Sequence, residues 1–434
     1  MTLELNATAR ESPLERAWRR SDRIFELLDP AALLTRPIAL RQPFIFYLGH
    51  LPAFAWNHLG RRGLGLPAFA PELDGLFERG IDPPDDLEGV DAPEAWPQLA
   101  TVLDYRERVR ESLEPHLADA ALRGALLMVL EHELMHHETL LYMMLRLPHE
   151  LKRAPQEARC FVFDGAARPR RVTLAGGAVR LGAAPGSLDF GWDNEFPEAR
   201  AVVADFEIDA TPVRQSEFLE FVEAGGYRDR RLWNDEAWAW ISRRDHGQPA
   251  FWTETEHGFT CRTLFTDVAL EAAADWPVYV MWCEAAAFAR FQGLRLPAEA
   301  EYVRAAFGTT DGPTRAYPWG DRPPDGVRAN VGLRRWAPTP VGSCAGGATP
   351  DGVLDLVGSG WEWTATPFAP FDGFAPLPGY PGYSADFFDG RHYVLRGGSW
   401  ATDDRLVRSS FRNWFQPHYP YVFAQFRCVR SAAS

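Results

Sequence analysis

The chain has 434 residues, 46% of them hydrophobic and 24% charged, with 16 Trp, 28 Phe and a formal net charge of -14. This length exceeds one ordinary core and predicts two domains, while the acidic balance with no basic stripe argues against a nucleic-acid partner. Cys160, Cys261, Cys283, Cys344 and Cys428 form no C-x-x-C pair, and neither a signal-peptide start nor an apolar run of 18 residues is present, so a cytoplasmic protein without membrane contact is expected.

In chain order, Ser12-Pro13-Leu14-Glu15 combines a serine N-cap, a proline at the first helical position and a capping-box glutamate. Leu14, Trp18, Ile24, Phe25 and Leu28 then recur at helical spacing until Asp29-Pro30. A second apolar segment, 44–59, carries Gly49 and Pro52, which are expected to bend or loosen it beside His50. A third helix spans 99–113. A fourth runs from an Asp119 N-cap to 147, with Leu126, Leu127, Leu130, Leu134 and Leu141 as its apolar stripe. Four helices with modest connections predict a bundle over residues 1–160. From 161 to 434 the chain is rich in Gly, Pro and Trp; Phe206, Ile208 and Ala210 alternate as a half-buried strand, 215–223 reads as a helix ended by Gly225-Gly226, and a short helix starts near Pro297. The fold class is therefore α+β in two domains, the second having little regular structure and long loops of the kind that carry sites.

Within HELMHHE, His132 and His136 are four apart and share one helical face, so two imidazoles can hold one metal. His50, on another helix of the bundle, is the third ligand chosen. His137 and Glu138 project to other faces, Glu138 as a helix-packing or supporting acceptor, and His58, His116 and His149 read as surface residues. The same run satisfies H-E-x-x-H, the zinc-hydrolase signature with Glu133 as general base, but the third ligand that such enzymes place downstream is missing. Three imidazoles leave open positions that suit oxygen-activating iron(II), although zinc also accepts imidazole.

With these motifs in hand, the N-terminal part resembles the DinB-like domain of the ergothioneine-biosynthesis sulfoxide synthases, His132, His136 and Glu138 matching H-x-x-x-H-x-E and His50 the upstream histidine. The C-terminal part resembles the formylglycine-generating-enzyme or sulfatase-modifying-factor fold, a C-type-lectin-like domain, through GWDNEFPEA, TPVRQSEFLEFVEAGGY, LRLPAEAEYVRAA, YPWGD, GSGWEWT and VLRGGSWAT. Residues 401–414 lack the cysteine pair that formylglycine formation uses. The resemblance implies iron(II), dioxygen as cosubstrate, and a chalcogen joined to C2 of the imidazole of hercynine, the trimethylated histidine. It further implies that Asn413 and Trp414 contact hercynine, an aromatic face also suiting a quaternary ammonium. Tyr383, or Tyr380 nearby, would be the proton donor, a phenol of pKa about 10 being suitable.

Family members that use γ-glutamylcysteine have Asp and Arg after the Asn-Trp pair and an arginine pair in the first domain; here Phe415 and Tyr419 stand in the first two places, and no arginine lies between Arg79 and Arg106. The variation resembles the selenoneine synthase branch, which takes a neutral selenosugar, 1-seleno-glucose, that Phe415, Gln416 and Tyr419 could line. A cysteine- or γ-glutamylcysteine-using sulfoxide synthase is the alternative. A monomer or small homo-oligomer with only small-molecule partners is expected.

Overall fold

The computed structural model describes residues 11–78, 96–158, 170–244, 246–308 and 314–432. The chain divides into two compact units, 1–153 and 154–434, and each is described by itself. The boundary expected near residue 160 lies outside the described residues.

The first unit is helical. α1 (Pro13–Glu26) starts as the sequence dictates: Ser12 accepts from the Glu15 N–H while the Glu15 carboxylate accepts from the Ser12 N–H, satisfying two otherwise orphaned donors. α2 (Phe44–Ala55) is continuous through Gly49 and Pro52 and passes into a wide π-helical stretch, Trp56–Gly63. The helix is thus unbroken at Gly49 and Pro52 and widens only from Trp56. The missing Cβ serves a close approach instead, since a methyl group there would run into the Phe77 ring. A short α3 (Pro71–Leu76), which the sequence reading did not find, precedes α4 (Leu99–Leu113) and α5 (Arg123–Leu145). Asp119 caps a 3-10 turn that leads into α5. α1 packs on α5, and α2 on both α4 and α5. Over residues 128–134 α5 is buried all round rather than along one stripe, with His132 and Glu133 among the enclosed residues.

In the second unit, β1 (Arg171–Leu174), β2 (Gly177–Leu181), β3 (Ala199–Val203) and β4 (Phe206–Asp209) come first. α6 (Gln215–Glu223), α7 (Asp235–Arg243), β5 (Trp252–Thr255), β6 (Gly258–Arg262) and β7 (Asp267–Ala269) follow, then α8 (Trp282–Phe291) and α9 (Glu299–Ala306). The chain ends with β8 (Trp361–Pro367), β9 (Tyr393–Arg396), β10 (Asn413–Phe415), β11 (Ala424–Gln425) and β12 (Val429–Ser431). One sheet has the order β10-β9-β8-β11, and another, β1-β4-β12, ties the start of the unit to its end. Long stretches without regular structure need other anchors. Arg427 forms a two-pronged pair with Glu362, both fully buried, and Glu299 holds Arg396 and Arg412 together. Breaking one partner of such a pair leaves a buried charge uncompensated, at a cost of about 3–5 kcal/mol.

Candidate metal centre and an aromatic cage

His50 from α2 and His132 and His136 from α5 converge. Nε2 of His132 lies 3.3 Å from Nε2 of His50 and 3.2 Å from Nε2 of His136, and the ligand atoms of all three fall within 4.8 Å of one another. Two cis ligands ~2.1 Å from a metal would be about 3.0 Å apart, so both His132 separations are close to those of adjacent ligands on one ion. Nδ1–H of His50 donates to the Phe77 carbonyl at 2.7 Å, which leaves the Nε2 lone pair pointing inward. Asp74, buried in α3, accepts from Tyr105 and from the Phe69 N–H, fixing the turn that presents Phe77.

Around the imidazoles the walls are aromatic: Phe54 stacks on His132 at 3.5 Å and Phe46 on His50 at 5.1 Å. Burial pushes His50 down to about 4 and holds His132 and His136 well below the ordinary histidine range, with the neighbouring imidazoles adding to the effect. With its proton on Nδ1, His50 presents a bare Nε2 lone pair, and a divalent cation would satisfy it together with Nε2 of His132 and His136. The donor set therefore fits a metal, and its all-imidazole chemistry accommodates iron(II).

Glu133 is not available as a general base. Its carboxylate accepts from the hydroxyl of Ser21 on α1, which also contacts Nε2 of His137 at 2.8 Å, and all three residues are buried. This overturns the zinc-hydrolase reading of H-E-x-x-H, because residue 133 is turned toward α1. The surface reading of His58 is also corrected: it is 6% exposed and its ring lies tilted against Phe54 at 4.1 Å, with its pKa lowered to about 4 by burial and by Arg62. His116 and His149 are half-buried.

In the second unit, Trp414 on β10 stacks on Phe368 at 4.3 Å, meets Tyr383 edge-on at 5.4 Å and has Phe387 at 5.5 Å. Tyr383 stacks in turn on Trp192 at 3.9 Å, and Tyr380 lies 5.8 Å from it. The next residue, Ser384, is fully buried and is bonded to Asp193 and Asn194, so the segment after Trp192 clamps the loop that carries Tyr383. Arg412, paired with Glu299, backs Phe368 at 5.0 Å. Alternation along β10 separates Trp414 from Asn413 and Phe415. Asn413 Oδ1 accepts from the Trp414 N–H; Phe415 stacks on the buried Tyr419 at 5.0 Å, and Gln416 is half-buried beside them in sequence. The four described cysteines are buried, and Cys261, for one, is pushed up to about 12 by burial, so none is poised as a thiolate.

The model of the Sulfatase-modifying factor enzyme 1-like domain matches residues 162–432, and that of the DinB superfamily matches residues 13–140. A hercynine oxygenase of Mycobacterium tuberculosis is 34% identical over 95% of this chain and 96% of its own length. The chain belongs to the hercynine oxygenase family. A hercynine oxygenase of Mycolicibacterium thermoresistibile is 36% identical over 76% of this chain and 72% of its own. Ergothioneine biosynthesis protein 1 of Neurospora crassa is 29% identical over 93% of this chain, which spans only 56% of that longer relative. Membership in this enzyme family accords with the two-domain α+β architecture. Among the described residues, no helix is long and apolar enough to cross a membrane.

Sequence reasoning missed several residues that build these sites. Ser21 sits within an ordinary helical surface pattern, and only the partner helix shows what it touches. Phe77 acts through its carbonyl, which no side-chain motif encodes. Trp192 lies within GWDNEFPEA, but its contact with Tyr383 spans 191 residues of sequence and leaves no local signal.

Proposed function

We propose that the chain is a non-heme iron(II), dioxygen-dependent enzyme that joins a chalcogen to C2 of the hercynine imidazole. The observation that carries this reading is the convergence of three neutral imidazoles in a chain of the hercynine oxygenase family. In the hercynine sulfoxide synthase reaction, which the relatives favour, hercynine C2–H, a thiol R–SH and O2 give the C2–S(O)–R sulfoxide and water, so both oxygen atoms and all four electrons are accounted for. Iron(II), when bound, supplies the activation of dioxygen.

The chain's own residues would do the remaining work. His50, His132 and His136 hold the ion, Phe77 fixes the His50 tautomer, and Phe46 and Phe54 keep water from the imidazoles. Trp414, with Phe368, Phe387 and Tyr383, offers aromatic faces to the trimethylammonium group, worth about 0.5–2 kcal/mol by cation–π attraction. Tyr383, held by Trp192 and Ser384, would give up the phenolic proton at Oη, with Tyr380 as its neighbour.

A second reading concerns the donor. Phe415 and Tyr419 form a stacked aromatic pair where a γ-glutamylcysteine site would carry Asp and Arg. An aromatic wall with Gln416 favours a neutral sugar over a dicarboxylated peptide, and a selenosugar, the donor of the selenoneine synthase reaction, is of that neutral class. Reconstitution with iron(II) under anaerobic conditions, followed by oxygen uptake with hercynine and each donor, tests both. Uptake that does not depend on hercynine would overturn the first reading; turnover with thiols alone would overturn the second.

A further inference from the structure

Among the residues of HELMHHE that do not serve as ligands are Glu133 and His137. They follow the two α5 ligands by one position each. The pair 133/137 therefore forms a second stripe, one turn long and about 100° around the helix from 132/136. Both side chains of this stripe reach the same atom, Oγ of Ser21 on α1, which is 1% exposed. A serine hydroxyl has one hydrogen. Since that hydrogen goes to Glu133 Oε1, the oxygen accepts from Nε2–H of His137, which gives a directed chain His137→Ser21→Glu133.

Packing on α1 and α2 limits the roll of α5, but a single bond from α1 would add a restraint at one point only. Two bonds from residues one turn apart to one held atom restrain that roll further. Asp22, the residue after Ser21, pairs with Arg110 of α4 at 2.8 Å and with Arg106 at 2.9 Å, so the α1 end of the linkage is itself held. We infer that Ser21, bridging Glu133 and His137, is a positioning residue that sets the roll of α5 so that His132 and His136 face His50 across the bundle. A roll of α5 by even ~20° would swing the imidazole nitrogens of His132 and His136, on a radius of roughly 6 Å, by about 2 Å, enough to carry His132 away from His50, which now lies 3.3 Å from it. The inference rests on the metal reading of the three histidines, but it concerns side chains that do not touch the ion.

The test uses Co2+ as the probe on the full-length chain, read by titration and by the visible d–d bands, which report ligand geometry independently of turnover. Ser21→Ala is expected to keep the helical circular dichroism while weakening Co2+ binding by about 10–100-fold and shifting the bands. Ser21→Thr, which restores a hydroxyl, should recover most of the affinity. Wild-type affinity and an unchanged spectrum in Ser21→Ala, even with a lowered melting temperature, would reduce the network to fold support and overturn the inference. Should Ser21→Ala fail to fold, Glu133→Gln, which keeps a carbonyl acceptor but weakens the linkage, is read in the same titration: a shifted spectrum supports the inference and an unshifted one overturns it. Wild-type protein that takes up no Co2+ overturns the metal reading as well, which separates the two failures.

Discussion

The Nδ1–H of His50 donates to the backbone carbonyl of Phe77 at 2.7 Å, and the ring of that same Phe77 fills the space left by the missing side chain of Gly49. One residue thus receives the helix that carries the ligand and orients the ligand itself. Gly49→Ala should push Phe77 away, costing about 1–3 kcal/mol through overpacking and weakening metal binding by about 10–100-fold. A denaturant melt and a Co2+ titration on the same sample check this. An alanine variant with both values unchanged would show that the Phe77 ring moves without its carbonyl.

Acid should destabilise the metal-free protein over a defined range. His50 and His58 have folded pKa values of about 4 because of burial, below the unfolded value near 6.5. Between these values the unfolded chain binds more protons than the folded one, so stability falls as pH falls from 6.5 to 4, by up to about 1.4 kcal/mol per pH unit for each histidine, and is fully present above 6.5. Unfolding free energies at pH 7, 6 and 5 measure the slope. A flat profile would mean that the two imidazoles are not held neutral.

Tyr383→Phe retains the stacking on Trp192 but removes the phenolic proton. Metal uptake and hercynine affinity should stay within about twofold of wild type, while the rate of bond formation falls by about 10²-fold or more. Single-turnover product analysis separates the two, and an unchanged rate and product distribution would transfer the role to Tyr380.

Trp414→Ala opens the cage between Phe368, Phe387 and Tyr383. Hercynine binding should weaken by about 3–30-fold, in keeping with loss of a cation–π contact. An isosteric tert-butyl analogue, which lacks the charge, should bind worse than hercynine to the wild type and about equally to the variant. Equal binding of both ligands by the wild type would remove Trp414 from cation recognition.

Donor choice follows from Phe415 and Tyr419. Each carboxylate buried against this stacked pair without a partner would cost several kcal/mol, enough to suppress γ-glutamylcysteine by roughly a thousandfold relative to a neutral 1-seleno- or 1-thio-sugar. Values of kcat/KM for selenosugar, cysteine and γ-glutamylcysteine decide between the donors. Equal or better use of γ-glutamylcysteine would sink the neutral-donor reading and leave the sulfoxide synthase reaction standing.

The sequence by itself determined what depends on local spacing. The capping box at Ser12 and Glu15, the extent of α4 and the shared face of His132 and His136 all follow from hydrogen bonds and side-chain directions within one or two helical turns. Tertiary structure alone decided what depends on a partner far along the chain. Glu133 could be read as a general base until Ser21, 112 residues earlier, was seen to hold it. His58 looked like a surface residue until Phe54 and the surrounding bundle enclosed it. Gly49 suggested a weak helix because its spacing to Pro52 was visible, whereas the ring of Phe77 that needs its empty Cβ position was not. In each case the local pattern allowed several conformations or roles of similar energy, and a contact made only in the folded chain selected one.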